Sequence, residues 1–277
     1  MTEHDLARAA YAEPSRVGIY TVCFTRPEAA EYAHGPGLSE GEELVSLTEG
    51  GIMAVTIPIP LRDWLGQSGD AHLEDLTWVA PRAVRHQAII ETMMARAPVF
   101  PLPFGTVFSS ESKVRSYLRR LHEPIDSFLS FISDKEEWTI KGSMELGRYE
   151  ALQSGAAADP GSGAPISGVG YLMAKKQRAS AVAKARDWLH LAEGVVLENL
   201  RPLTLMRCRR RILPAQAGDS TRLLFHWAVL IERSQREQLL STLERGNEHW
   251  AEQGLQLVGQ GPWPPYSFCP ALANPAG

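Results

Sequence analysis

The run RCRRR at 207 to 211 carries four cations in five residues. On a strand, side chains alternate, so Arg207, Arg209 and Arg211 share one face. Three guanidinium groups in a row suit an anion or an acidic peptide. The same pattern also suits a solvated, charged strand that keeps a sheet edge from pairing. AKKQR at 174 to 178 adds a second basic stretch, which reads more simply as the polar face of a helix.

Other reactive residue types do not converge. Glu136 and Glu137 are adjacent on an expected strand and point to opposite faces, which denies them the geometry of a carboxylate dyad. His86 has no second His or carboxylate at i+4, and a structural or surface role is expected for it. His226 lies mid-strand, where an interface role is favoured over a catalytic one. The chain has no GxGxxG after a strand, no GxxxxGK[ST], no HExxH and no GxSxG. No catalytic residue, metal site or cofactor is expected.

Composition narrows the class further. The chain has 277 residues, enough for two domains, and a formal net charge of -4 that argues against a dedicated nucleic-acid partner. Cys23, Cys208 and Cys269 are far apart and odd in number, so reduced thiols are expected rather than a disulfide framework. MTEHDLARAA lacks the apolar stretch of a secretory signal. LLFHWAVLI at 223 to 231 is under half the roughly 20 residues of a spanning helix. No membrane partner is expected.

These residues must be positioned by an α+β fold of two domains. A polar arm over 1–16 precedes a smaller N-terminal α/β domain over 17–108. VGIYTVCF is its first strand, and LVSLTEGGIMAVTI is a hairpin turning at Gly50-Gly51. Pro81 is expected in the first turn of a helix that Pro98 stops. PVFPLPFGTVF suits an edge strand broken by prolines. Apolar residues from Val114 to Ile132 recur at three-and-four spacing, predicting one long amphipathic linking helix over 109–134, kinked at Pro124.

Residues 135–262 read β-α-β-β-α-β, the ferredoxin-like order, with a flexible loop over 147–168. EEWTIKGSME, LTLMRCRRRIL, TRLLFHWAVLIE and LQLVGQG supply the strands, and Ser234 with Glu237 predicts a capping box. Both helices should cover one face of the sheet. Leu224, His226, Ala228 and Leu230 would then form the other, too apolar to stand bare in water. The tail over 263–277 opens with WPPYSF. Its prolines should end the last strand at Gly261, leaving Trp263, Tyr266 and Phe268 to clamp the fold or to meet a partner.

Four segments, in this order, carry more. HQAIIETMMARAPVFPLPFGTVF (86–108), EEWTIKG (136–142), GVGYLMAKKQRA (168–179) and VGQGPWPPYSF (258–268) resemble the gas vesicle protein family GvpL/GvpF. The resemblance covers roughly 17–268. Two departures are Pro103, where a basic residue would precede Phe-Gly, and Gly142, where a β-branched residue would be typical. The resemblance implies a cytoplasmic accessory or minor structural component of gas vesicles, hollow protein-walled organelles that give microbes buoyancy. It implies as partners the small hydrophobic shell protein (GvpA-type) and other accessory proteins, with no enzymatic activity. Candidate contact residues are Arg207, Arg209, Arg211, Leu224, His226, Leu230, Trp263, Tyr266 and Phe268. Two other readings stand beside this one: a scaffold that bridges accessory proteins without touching the shell, and an enzyme on paired ferredoxin-like sheets with His226 and nearby arginines lining its pocket.

Overall fold

The computed structural model describes residues 16–154, 168–212 and 219–272. It is an α+β protein of two compact units. Met1–Asp134 and Pro264–Gly277 form the first, and Lys135–Trp263 forms the second.

In the first unit, β1 (Val17–Thr25) is central because its residues are buried almost throughout. β2 (Val45–Glu49) and β3 (Ile52–Pro60) form the expected hairpin. Gly50 and Gly51 both have positive φ, 59° and 79°, as a tight hairpin turn of primed type requires. β4 (Val99–Pro101) and β5 (Val107–Phe108) both pair with β1, so the proline-broken segment does flank the sheet, but in two short pieces. Every pairing is antiparallel. The expected α/β character therefore gives way to α+β, because hairpins and short returns leave no parallel crossover.

Two short turns, Pro27–Tyr32 and Leu61–Asp63, and helix α1 (Gly66–Glu74) lead to α2 (Leu76–Met94). Pro81 sits inside α2 and not in its first turn. Asp75 starts the helix earlier by accepting from the Thr77 amide at 2.8 Å, and the carbonyl that Pro81 leaves unpaired belongs to an exposed turn. Ile89, Ile90 and Met93 of α2 join Tyr20, Val22, Met53, Val55 and Ile57 in one core.

The expected linking helix is two helices, α3 (Glu111–Arg120) and α4 (His122–Ile132). The break is at Leu121, with φ -111° and ψ 22°, while Pro124 rests in the first turn of α4, where a missing N–H costs nothing. Rather than bridging, both pack on the first sheet. Phe24 and Phe108 meet Tyr117, and Phe100 meets Phe128 edge-on at 5.0 Å between centroids.

The second unit opens with β6 (Lys135–Glu145) and α5 (Leu146–Ser154), a helix where a loop was expected. The rest of that loop, 155–167, lies outside the described residues. Then come α6 (Gly168–Leu200), β7 (Thr204–Arg209), β8 (Thr221–Glu232), a turn at Arg233–Gln235, α7 (Arg236–Trp250) and β9 (Leu255–Trp263). The sheet runs β7-β8-β6-β9, antiparallel throughout.

Ala192, Val196 and Leu200 of α6 and Leu239, Leu243 and Trp250 of α7 pack with Phe225, Val229 and Ile231 in a single core, so both helices do cover one face. The Ser234–Glu237 capping box is absent, since the Arg233–Gln235 turn leads into α7 and Gln235 at the cap accepts no side-chain bond. β9 does not stop at Gly261. It runs on through Pro262 to Trp263, because a bulge opposite Glu137 to Thr139 spares Pro262 from donating to the ladder.

Candidate functional site

The first unit holds an apolar groove of about 690 Å³. Phe100, Phe104 and Phe108 line one wall and Tyr266, Pro270 and Leu272 of the tail another. The wall exists because Pro103 cannot donate to a ladder, so the chain leaves β1 after the Leu102 amide bonds the Val22 carbonyl and rejoins it where the Thr106 carbonyl accepts from Thr21. Leu65, 54% exposed, stands at the groove's rim.

Behind the groove, His86 is buried and fully engaged. Its Nε2 faces the Leu102 carbonyl at 3.1 Å, so Nε2 carries the proton. Nδ1 is then an acceptor, and the Tyr20 hydroxyl donates to it at 2.8 Å. Tyr20 in turn accepts from the Gly105 amide at 3.2 Å. Tyr266 brings its hydroxyl to 3.3 Å from His86 Nε2 and 3.5 Å from the Leu102 carbonyl. Burial lowers the His86 pKa to about 4, keeping the ring neutral, and pushes the Tyr20 and Tyr266 phenols up. Of the two roles expected of His86, structural or surface, burial leaves the structural one: it ties β1, α2, the loop after β4 and the tail together.

The arginine strand has a different surrounding. Arg207 and Arg209 each lie 5.8 Å from the Trp227 ring centre, on the side of α6. Glu193 of α6, almost buried, accepts from Trp227 Nε1 at 2.7 Å and pairs with Arg209 at 3.2 Å. Arg211 is exposed but falls beyond the end of β7, so it does not continue the strand face. Among AKKQR, only Lys176 has a described side chain, and it is exposed.

The remaining candidate residues disperse. A register shift at Gly142/Ser143 puts a bulge opposite, and Leu224 consequently packs with the helix-side core instead of sharing a face with His226. Leu230 and Ala228 are fully buried and offer no free surface. His226 is half-buried, its Nε2 buried and without a hydrogen-bond partner among the described residues. Burial, then Lys141 and Arg210, hold its pKa down. Trp263 is 39% exposed, pairs opposite Glu137 and donates from Nε1 to Thr139 Oγ1 at 3.3 Å. Tyr266, 38% exposed, and half-buried Phe268 belong to the first unit, and Trp263 to the second.

Sequence reasoning missed the buried carboxylates. Glu136 accepts from both Arg236 and Trp138 Nε1, with Arg233 3.5 Å away. Alternation could have placed Glu136 beside Trp138, but its arginine partner is 100 residues on, which no spacing reveals. Among the described residues no group of three or more His, Cys, Asp or Glu could hold a metal ion, and no helix is long and apolar enough to cross a membrane.

Comparison with known proteins agrees with this architecture. The structure of the gas vesicle protein GvpF from Anabaena sp. PCC7120 superposes with a TM-score of 0.68, covering 93% of this chain and 98% of that one at 14% identity. GvpF from Microcystis aeruginosa gives 0.61, covering 92% and 99%, again at 14% identity. Both share the fold. Gas vesicle protein L of Streptomyces sp. (strain CB03234) is 28% identical over 264 residues, covering 90% of this chain and 91% of that protein. The family described as gas vesicle synthesis protein GvpL/GvpF matches residues 18–270. With the match spanning both sheets and the tail, the chain belongs to the GvpL/GvpF family of gas vesicle proteins.

Proposed function

We propose that this chain is a cytoplasmic accessory or minor structural protein of gas vesicle assembly that binds the small hydrophobic shell protein and works with other accessory proteins. Family membership over 18–270 carries the reading, since it implies a part in gas vesicle formation. The role is physical and not catalytic. Shell subunits with gas-facing apolar surfaces aggregate when free, and a partner that covers them until they join the wall prevents this. The groove beside the tail, lined by phenylalanines, leucine and proline, offers an apolar surface of the right character. The second unit supports a ferredoxin-like plan: numbered within the unit, its strands lie in the order 2-3-1-4, with both core helices on one face.

Co-expression with the shell protein followed by co-purification tests the proposal. Capture by the wild-type chain and its loss in Leu65→Glu, a substitution at an exposed rim position, is the expected pair of results. Capture of accessory proteins without the shell protein would replace this reading with the scaffold.

A further inference from the structure

We propose that the β7 edge of the second sheet takes up an extended, acid-rich segment of a partner protein as an added strand. This goes beyond shell binding: the surface is a different one, and the chemistry it selects is acidic instead of apolar.

Among the described residues β7 ends its sheet, with β8 on one side only. The Arg210 amide donates to the His226 carbonyl at 2.8 Å, and the register steps back through Cys208↔Ala228 and Met206↔Leu230. In an antiparallel ladder hydrogen-bonded pairs alternate with non-bonded ones. Arg207 and Arg209 are therefore the non-bonded positions, and their N–H and C=O groups turn away from β8 toward the open edge. A bulge at Leu205, between Thr204 and Met206, ends this row on one side.

The same two residues set the charge of the edge. Trp227 lies under both guanidinium groups, and Glu193 holds Arg209, so the strand is fixed on its inner face. Arg207 is exposed and, among the described residues, makes no ion pair. Leu205 and Met206 add apolar surface, at 47% and 44% exposure. Outward backbone groups flanked by cations and short apolar contacts match a strand in which acidic and apolar residues alternate.

Charge also decides against the other occupants. A second copy pairing β7 with β7 would set arginine among arginines, and like charges across a strand pair repel. An uncharged apolar strand would take water from the guanidinium groups without replacing it. The arginines thus act as a filter, blocking self-pairing while leaving the edge open to acid.

The test uses the full chain and labelled peptides of about seven residues. One alternates Glu and Val, a second alternates Gln and Val, and a third repeats the Glu/Val sequence with alternate amides N-methylated. The first should bind by fluorescence anisotropy and slow hydrogen exchange at the Arg207 and Arg209 amides. The other two should bind about tenfold more weakly or worse, as should the Glu/Val peptide to Arg207→Glu, with folding checked by circular dichroism. Equal binding of the Gln/Val peptide, equal binding after N-methylation, or tighter binding of an oligonucleotide of the same charge would each overturn the proposal. So would absence of Glu/Val binding at about 1 mM. Shell capture is measured on the same Arg207→Glu chain. Its retention while peptide binding is lost separates this edge from the groove, and loss of shell capture in Leu65→Glu with peptide binding intact would bear on the groove alone.

Discussion

The Tyr20 hydroxyl donates to Nδ1 of His86 across 2.8 Å, while the Leu102 carbonyl claims the proton on Nε2 at 3.1 Å. Protonating His86 would leave two donors facing each other at Nδ1. Burial, which lowers the His86 pKa from 6.5 to about 4, acts in the same direction. The folded pKa lies below the unfolded one, so the unfolded chain binds the extra proton first. Stability is full above about pH 6.5 and falls as the pH drops toward 4, by roughly 3 kcal/mol in all. Urea midpoints at pH 7.5 and 4.5 should show a loss that His86→Gln reduces. An identical loss in the variant would assign the acid sensitivity to carboxylates.

Gly142 and Gly194 should respond oppositely to alanine. A Cβ at Gly142 would stand 2.1 Å from the Phe225 ring, so Gly142→Ala should cost about 1–3 kcal/mol. This close approach accounts for a glycine at this position. A Cβ at Gly194, exposed on α6, meets nothing within 4 Å, and Gly194→Ala should stabilise by roughly 0.5–1 kcal/mol. Thermal melts of the two variants check both signs.

The sequence carried the periodic parts of this fold and little of what depends on distant partners. The Gly50-Gly51 hairpin follows from turn chemistry. The break at Leu121 did not show, because Pro124 satisfies a first turn as well as it would a kink, and only packing on the sheet chooses. Leu224 was assigned to the wrong face because alternation assumes an unbroken register, and a single bulge reverses it. The arginine strand was legible as a pattern. Its anchors Trp227 and Glu193 were not, since Glu193 reaches β7 only after the chain folds back.

The tail contributes to stability through Tyr266 in the first unit and Trp263 in the second. Tyr266→Phe removes contacts with His86 and the Leu102 carbonyl and should cost about 1 kcal/mol. Trp263→Ala should cost about 2 kcal/mol, below the value for a core tryptophan because the ring is 39% exposed. Chemical denaturation of each variant measures these costs. A Trp263→Ala chain with unchanged stability would return that ring to the list of partner contacts.

Glu136 is buried between Trp138 and two arginines that remain partly in water. Glu136→Gln keeps an acceptor for the indole but loses the charge, and should cost about 1–2 kcal/mol. The cost should shrink little with added salt, because the carboxylate side chain is only 5% exposed. A loss abolished by salt would place the pair in solvent.

Gas vesicle formation itself is the most direct readout. In a host carrying the complete set of gas vesicle genes, deleting the one for this chain should abolish pressure-collapsible light scattering and the vesicles seen by electron microscopy. The wild-type chain should restore both, while Leu65→Glu, folded but defective in the groove, should not. Vesicles of normal number and strength without the chain would contradict its role in assembly.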